Sequence, residues 1–180
     1  MNVSQRQVLI SRQDIAAKVQ ALGAQITADF KDDDAPLVVI SILKGAIPFT
    51  ADLIRAIDMP LRLEVMQVSS YGSGTKSSGK VEFKYRSFDD LSGCNVLLVD
   101  DIIDSGNTLA AIGRTMADFG AKHVAYCTFL DKVERRTADI KVDYVGFEIP
   151  DKFIIGYGLD YDSQYRELPD IEYIELDEEE

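Results

Sequence analysis

The chain has 180 residues, 46% hydrophobic and 28% charged, enough for one domain with a substantial core and too little for two of ordinary size. Twelve Gly and five Pro exclude a collagenous or low-complexity chain, and the longest apolar runs, at 36–43 and 95–99, are far too short to span a membrane. With 19 basic against 31 acidic residues and a formal net charge of −12, the chain is poorly suited to gripping nucleic acid, whose phosphates need clustered Lys and Arg.

Nine of the acids fall at 32–34 and in the last ten residues, where Glu172, Glu175 and positions 177–180 read as a solvated tail. The N-terminal MNVSQRQVLISRQD lacks an apolar signal core with a cleavage site, so a cytoplasmic location is expected. Cys94 and Cys127 stand singly among apolar residues and read as small buried side chains rather than a disulfide or metal site.

Ser11 with Asp14 resembles a capping box, and Ile15, Val19, Leu22, Ile26 and Phe30 follow at helical spacing. The run LVVISIL at 37–43 reads as a strand buried on both faces. Lys44-Gly45 punctuates it, and residues 46–57, with Pro48 in the first turn and Phe49, Leu53 and Ile57 four apart, read as the next helix. Residues 61–68 form a second strand. SSYGSGTKSSGK at 69–80 offers only Tyr71 as a core anchor, and its length favours a mobile lid over an ordinary hairpin connection.

A partner strand is expected at 81–85 and a strongly apolar one at 95–99 (NVLLV). A helix over 108–119 ends at Gly120, and strands follow at 123–130, 144–147 and 153–155. The alternation predicts a single α/β domain over 1–180, with a mostly parallel twisted sheet flanked by helices and an acidic tail at 175–180.

Chemistry concentrates in VLLVDDIIDSGNTL at 96–109. Open parallel sheets bind ligands at the carboxyl ends of their strands. There Ser105, Gly106, Asn107 and Thr108 can aim backbone N–H groups and hydroxyls into one concavity at a helix N-terminus, as a phosphate monoester requires. The fragment lacks the second Gly and the Lys of a P-loop. Asp100 and Asp101 suit ribose hydroxyls or Mg²⁺, a hard cation that takes carboxylate and phosphate oxygens. Singly, Asp100, Asp101 and Asp104 read as capping or solvent-exposed acids; together beside a phosphate cradle they read as a site. Lys132, following Asp131, reads equally well as half of an exposed ion pair, and Phe153 as core. His123, at a strand start, reads as a surface or half-buried residue.

VLLVDDIIDSGNT resembles the phosphoribosyl pyrophosphate signature of type I phosphoribosyltransferases. LKGA at 43–46, SSYGSGT at 69–75, LDKVERR at 130–136 and IPDKFIIGYGLDYDSQYREL at 149–168 narrow the resemblance to the 6-oxopurine branch, the hypoxanthine-guanine phosphoribosyltransferases, which commonly carry Glu-Asp where Asp100-Asp101 stands. The resemblance implies the type I fold with a small hood formed by the chain ends. It also implies transfer of a 5-phosphoribosyl group from phosphoribosyl pyrophosphate to N9 of hypoxanthine or guanine, with a xanthine-accepting branch left open.

Residue by residue, the resemblance implies that Ser105, Gly106, Asn107 and Thr108 hold the 5-phosphate, and that Asp100 and Asp101 hold the ribose hydroxyls and their Mg²⁺. Asp104 is implied as general base at purine N7, and Leu43-Lys44-Gly45 as a non-proline cis peptide facing pyrophosphate. Lys132 is implied to donate to O6, Phe153 to stack on the base and Ile154 to contact its edge through the backbone. Asp160 is implied as ligand of a second Mg²⁺, Arg136 and Arg166 as pyrophosphate contacts, and Ser70 and Tyr71 as lid residues near the reacting groups. A homodimer or homotetramer is implied as well. The rival reading is a regulator that keeps the fold to sense phosphoribosyl pyrophosphate and binds RNA or DNA. No Lys/Arg stripe supports it.

Overall fold

The computed structural model describes residues 3–68 and 82–176. The expected lid at 69–80, including Ser70 and Tyr71, lies outside the described residues. Strand β1 (Val3–Ile10) leads into helix α1 (Arg12–Phe30). There Ser11 Oγ accepts from the Asp14 N–H at 3.2 Å and donates to the Asp14 carboxylate at 2.6 Å, satisfying one of the free N–H groups of the first turn. Ile15, Val19, Leu22, Ile26 and Phe30 are all buried, so the helical spacing correctly marks the core face. Next come β2 (Leu37–Ile42), α2 (Ile47–Ala56), β3 (Leu61–Val68), β4 (Phe83–Arg86), β5 (Asn95–Ile103) and α3 (Asn107–Asp118). The chain closes with β6 (His123–Asp131), a single 3₁₀ turn (Val133–Arg135), β7 (Tyr144–Glu148), β8 (Phe153–Ile155) and β9 (Ile171–Leu176).

Six strands form one sheet in the order β4-β3-β2-β5-β6-β7, parallel except for the edge strand β4. β2 and β5 lie at its centre, and their alternating side chains supply two cores. Leu37, Val39, Leu97 and Val99 face the side covered by α1 and α2, whereas Val38, Ile40, Val96 and Leu98 pack with Ile112 and Met116 of α3. The continuous apolar runs of β2 and β5 thus reflect burial on both faces. Gly23 of α1 lets the two helices on one side meet closely, since a Cβ there would fall 2.5 Å from the Ala56 carbonyl oxygen.

A second, antiparallel sheet, β1-β9-β8, brings the two ends of the chain together, matching the expected hood. Of its strands β8 matches the expected strand at 153–155, whereas β1 and the central β9 are absent from the pattern-based reading. The register pairs Ile10 with Ile171, and the Arg12 guanidinium and backbone N–H both grip Asp170, at 2.9 and 2.7 Å. The acidic-tail reading is corrected at its start: β9 includes Glu175 and Leu176, and Glu172, half-buried, pairs with Arg6 at 3.6 Å, while positions 177–180 lie outside the described residues. Other bounds also move. β5 continues four residues past Val99, because its pairing with β6 runs to Ile103 opposite Asp131, so Asp100 and Asp101 lie within the strand. α3 begins at Asn107 rather than Thr108. No helix among the described residues is long and apolar enough to cross a membrane.

Phe49 is fully buried and meets Phe129 of β6 with ring centroids 4.6 Å apart. Phe49→Ala is expected to lose about 3–5 kcal/mol of stability in urea unfolding, the usual cost of truncating a core aromatic. A loss below about 1 kcal/mol would show that α2 is not held by this contact.

Candidate functional site

The carboxyl ends of β2, β5 and β6 meet at one edge of the large sheet, and the loops leaving them form the site. After β5 the chain turns through 104–106 into α3. Gly106 caps that helix at φ 82°, a left-handed conformation open to Gly, and a Cβ there would fall 2.9 Å from Ile140 and 3.0 Å from Arg136. The Ser105 carbonyl accepts the N–H groups of Thr137 and Ala138 at 3.1 and 2.9 Å. Asn107 Nδ2 donates to Ser105 Oγ and Thr137 Oγ1 at 3.3 and 3.2 Å. The turn is therefore braced from the segment after β6, while Asn107 and Thr108 stay exposed at the helix N-terminus, as an anion cradle needs.

Asp100 and Asp101 sit side by side and half-buried. The Asp101 N–H donates to Asp100 Oδ1 at 3.0 Å, and the Ile102 N–H to Asp101 Oδ1 at 2.9 Å. Burial pushes both carboxyls above the ordinary carboxylate range, Asp100 strongly so, with the Asp101 charge adding to the effect on Asp100. Neither makes a salt bridge among the described residues. Asp101 lies against the loop after β2: a Cβ on Gly45 would fall 1.6 Å from Asp101 Oδ2. The Leu43–Lys44 bond in that loop is cis. The Gly45 carbonyl in turn touches Gly158, where a Cβ would come within 1.9 Å of it and φ is 103°.

Gly158 links this centre to the last candidate residues. Its carbonyl accepts from Arg166 at 2.5 Å, and Arg166 pairs with Asp160 at 2.6 Å while its charge also acts on Asp101. The second Asp160 oxygen accepts the Ser163 N–H at 2.9 Å. Asp160 is thus committed to a cation and a backbone donor of its own chain. The described residues hold no cluster of three His, Cys, Asp or Glu that could bind a metal. Arg136 is engaged too, donating to Asp131 at 2.5 Å and to the Asp104 carbonyl at 3.2 Å.

Lys132 follows β6 with its side chain only 13% exposed, and its ammonium donates to the Lys152 carbonyl at 2.8 Å and to Asp151 at 3.1 Å. Its acid is therefore Asp151 rather than the sequence neighbour Asp131, which pairs with Arg136 instead. Phe153 opens β8 and is 42% exposed, its ring nearly perpendicular to that of Tyr161, so the core reading of this ring gives way to a partly exposed aromatic. Ile154 buries its side chain. Asp104, on the turn after β5, is exposed and pairs with Arg135 at 2.7 Å. Arg135 and Asp151 lie within the quoted motifs, yet their pairing across 16 residues has no signature in one sequence.

The model of the phosphoribosyl transferase domain matches residues 7–162. The hypoxanthine-guanine phosphoribosyltransferase of Bacillus subtilis (strain 168) is 48% identical over 162 residues, covering 90% of this chain and 89% of its own. The hypoxanthine phosphoribosyltransferase of Salmonella typhimurium is 42% identical, with 91% and 92% covered. Among solved structures, a hypoxanthine phosphoribosyltransferase from Staphylococcus aureus superposes with a TM-score of 0.86 at 41% identity, covering 94% of this chain and 91% of that one. One from Trypanosoma cruzi, a mutant in a ternary complex with substrates, gives 0.87 at 38% identity over 93% and 94%. With the family model matched over most of its length and relatives at 41–48% identity, the chain belongs to the phosphoribosyl transferase family and, within it, to the hypoxanthine-guanine phosphoribosyltransferases.

Proposed function

We propose that the protein transfers the 5-phosphoribosyl group of phosphoribosyl pyrophosphate to N9 of hypoxanthine or guanine, releasing pyrophosphate and forming IMP or GMP. The observation that carries this reading is the desolvated Asp100–Asp101 pair near the carboxyl end of β5, with Asp101 lying against the Gly45 backbone. Two adjacent carboxylates at a phosphate cradle suit a ligand that brings hydroxyls and a cation together.

Ser105, Gly106, Asn107 and Thr108 hold the 5-phosphate through helix N-terminal N–H groups and hydroxyls. Asp100 and Asp101 take the ribose hydroxyls, and they would hold Mg²⁺ jointly with substrate oxygens, the usual sharing for an ion that keeps few protein ligands. When bound, that ion offsets the charge of the leaving pyrophosphate. The backbone of Lys44 and Gly45 and the guanidiniums of Arg136 and Arg166 line the pyrophosphate side. For the two arginines this means adding the anion to, or exchanging it for, their present acids. Asp160, held by Arg166, orients that guanidinium and is the candidate ligand of a second Mg²⁺.

At the base, Phe153 stacks, the Ile154 backbone meets the purine edge, and Lys132 donates to the 6-oxygen. Asp104 holds or accepts the proton at N7. Breaking the ribose C1–O bond ahead of attack leaves oxocarbenium character on the sugar, which the site must stabilise away from water. A cytoplasmic location and a homodimer or homotetramer accompany this reading. The exposed Ile47 and Leu63, on α2 and β3, give apolar surface for such self-contact.

Initial rates with hypoxanthine, guanine, xanthine, adenine and uracil test the reading. An ammonium donates and cannot accept, so adenine should be slower than hypoxanthine by about 10⁴, the scale for a site left with an unpaired polar group. Equal use of adenine would contradict it. Asp104→Asn should lower turnover by about 10² or more, the scale of a lost general acid or base, with phosphoribosyl pyrophosphate affinity kept. Wild-type turnover in the folded variant would remove Asp104 from the role.

The raised carboxyl of Asp100 also predicts a stability effect. A carboxyl whose folded pKa exceeds its unfolded one supports the fold while protonated and loses that support as pH rises through the folded value. At neutral pH without divalent cation, Asp100→Asn should therefore raise the melting temperature, by about 2–4 °C per kcal/mol relieved, while turnover falls. The gain should shrink toward pH 4. A lower melting temperature at pH 7 would contradict the assigned desolvation.

A further inference from the structure

The two groups assigned to the purine edge, Lys132 and Asp104, leave different strands, yet a continuous chain of charged contacts joins them. Lys132 Nζ lies 3.1 Å from Asp151 Oδ1, Arg135 Nη1 lies 3.1 Å from Asp151 Oδ2, and Arg135 Nε lies 2.7 Å from Asp104 Oδ1. Asp151 divides its two oxygens between the cations, and Arg135 spends two edges of its planar fork on two acids. A lysine, with one compact ammonium, cannot reproduce that division.

The geometry at Lys132 has its own consequence. An ammonium has three N–H donors, and Asp151 and the Lys152 carbonyl take two. One is left for substrate, and the side chain carrying it is largely buried, so its direction is fixed by Asp151. At the other end the Asp104 carboxylate is about half exposed and projects from a turn, so the Arg135 contact fixes its place.

We propose that Arg135 and Asp151 are positioning residues that set the placement of the Lys132 donor relative to the Asp104 carboxylate, and through it the preference for purines carrying an oxygen at position 6. The inference rests on the roles proposed for Lys132 and Asp104. Neither Arg135 nor Asp151 touches the reacting atoms. Both are partly exposed, so as ordinary surface partners they would contribute little to stability. A kinetic effect without a thermal one therefore separates positioning from mere structure.

The test is steady-state kinetics on the full chain, varying hypoxanthine, adenine and phosphoribosyl pyrophosphate separately, for wild type, Arg135→Gln, Arg135→Lys, Asp151→Asn and the Gln/Asn double variant. Displacement of a reading group by a fraction of its hydrogen-bond length is expected to raise the KM for hypoxanthine about tenfold in each single variant, with KM for phosphoribosyl pyrophosphate within about twofold. The hypoxanthine-to-adenine ratio of kcat/KM should fall. Arg135→Lys should not rescue, and the double variant should be no worse than the worse single one, as for two members of one unit.

An unchanged hypoxanthine KM, equal rises for both substrates, or additive losses would overturn the proposal. Should Asp151→Asn fail to fold, the Arg135 variants decide by the same criteria. Failure of the wild type to form nucleotide from hypoxanthine would instead overturn the proposed function, so the two failures are distinct.

Discussion

Two carboxylates kept side by side in a poorly hydrated crevice are the constraint around which the rest of the site is arranged. Asp100 and Asp101 lie toward the carboxyl end of the central strand β5, where burial holds both in their protonated form to a higher pH than usual and the Asp101 charge adds to the effect on Asp100. The surroundings give way to them. Gly45 offers no Cβ where Asp101 Oδ2 lies, Gly158 offers none where the Gly45 carbonyl lies, and Arg166 projects its charge toward Asp101 from the far side. Such an arrangement costs stability, the relation expected of residues kept for use rather than for the fold.

Topology explains why these groups meet. Parallel strands β2, β5 and β6 deliver their loops to the same edge, giving in turn the Lys44-Gly45 backbone, the acid pair with the Gly106 turn, and Lys132. The hood adds what the sheet cannot. β8 carries Phe153 and Ile154, and its hold on the body runs through β9 and the Arg12–Asp170 contact. The placement of Phe153 and Ile154 thus depends on the joining of the two chain ends, whereas that of Asp100, Asp101 and the Gly106 turn depends on the central sheet.

Local periodicity carried the elements whose burial is local in origin. The helical stripe from Ile15 to Phe30 and the two-faced burial of 37–43 follow directly from side-chain spacing. The turn through Gly106 into α3 was legible because small residues after an apolar strand admit few structures. β1 and β9 were not, since β1 becomes a strand only by pairing with β9 across more than 160 residues, β9 sits between β1 and β8, and their polar side chains carry no clean alternation. The roles of Asp104, Lys132, Phe153 and Arg166 came from family resemblance alone. Lys132 shows why: its acid is 19 residues away rather than adjacent, because successive residues leaving a strand point apart. The Arg135–Asp151 contact was illegible for the same reason.

Calorimetric titration of phosphoribosyl pyrophosphate into the full chain, with Mg²⁺ and again in excess chelator, probes the acid pair most directly. Binding with Mg²⁺ is expected to be at least about tenfold tighter, because without a cation the substrate sets its own charge against Asp100 and Asp101. Asp101→Asn should reduce that difference. Equal affinity in both conditions would contradict the account, since the carboxylate pair would then not be what the substrate and its ion are bound by.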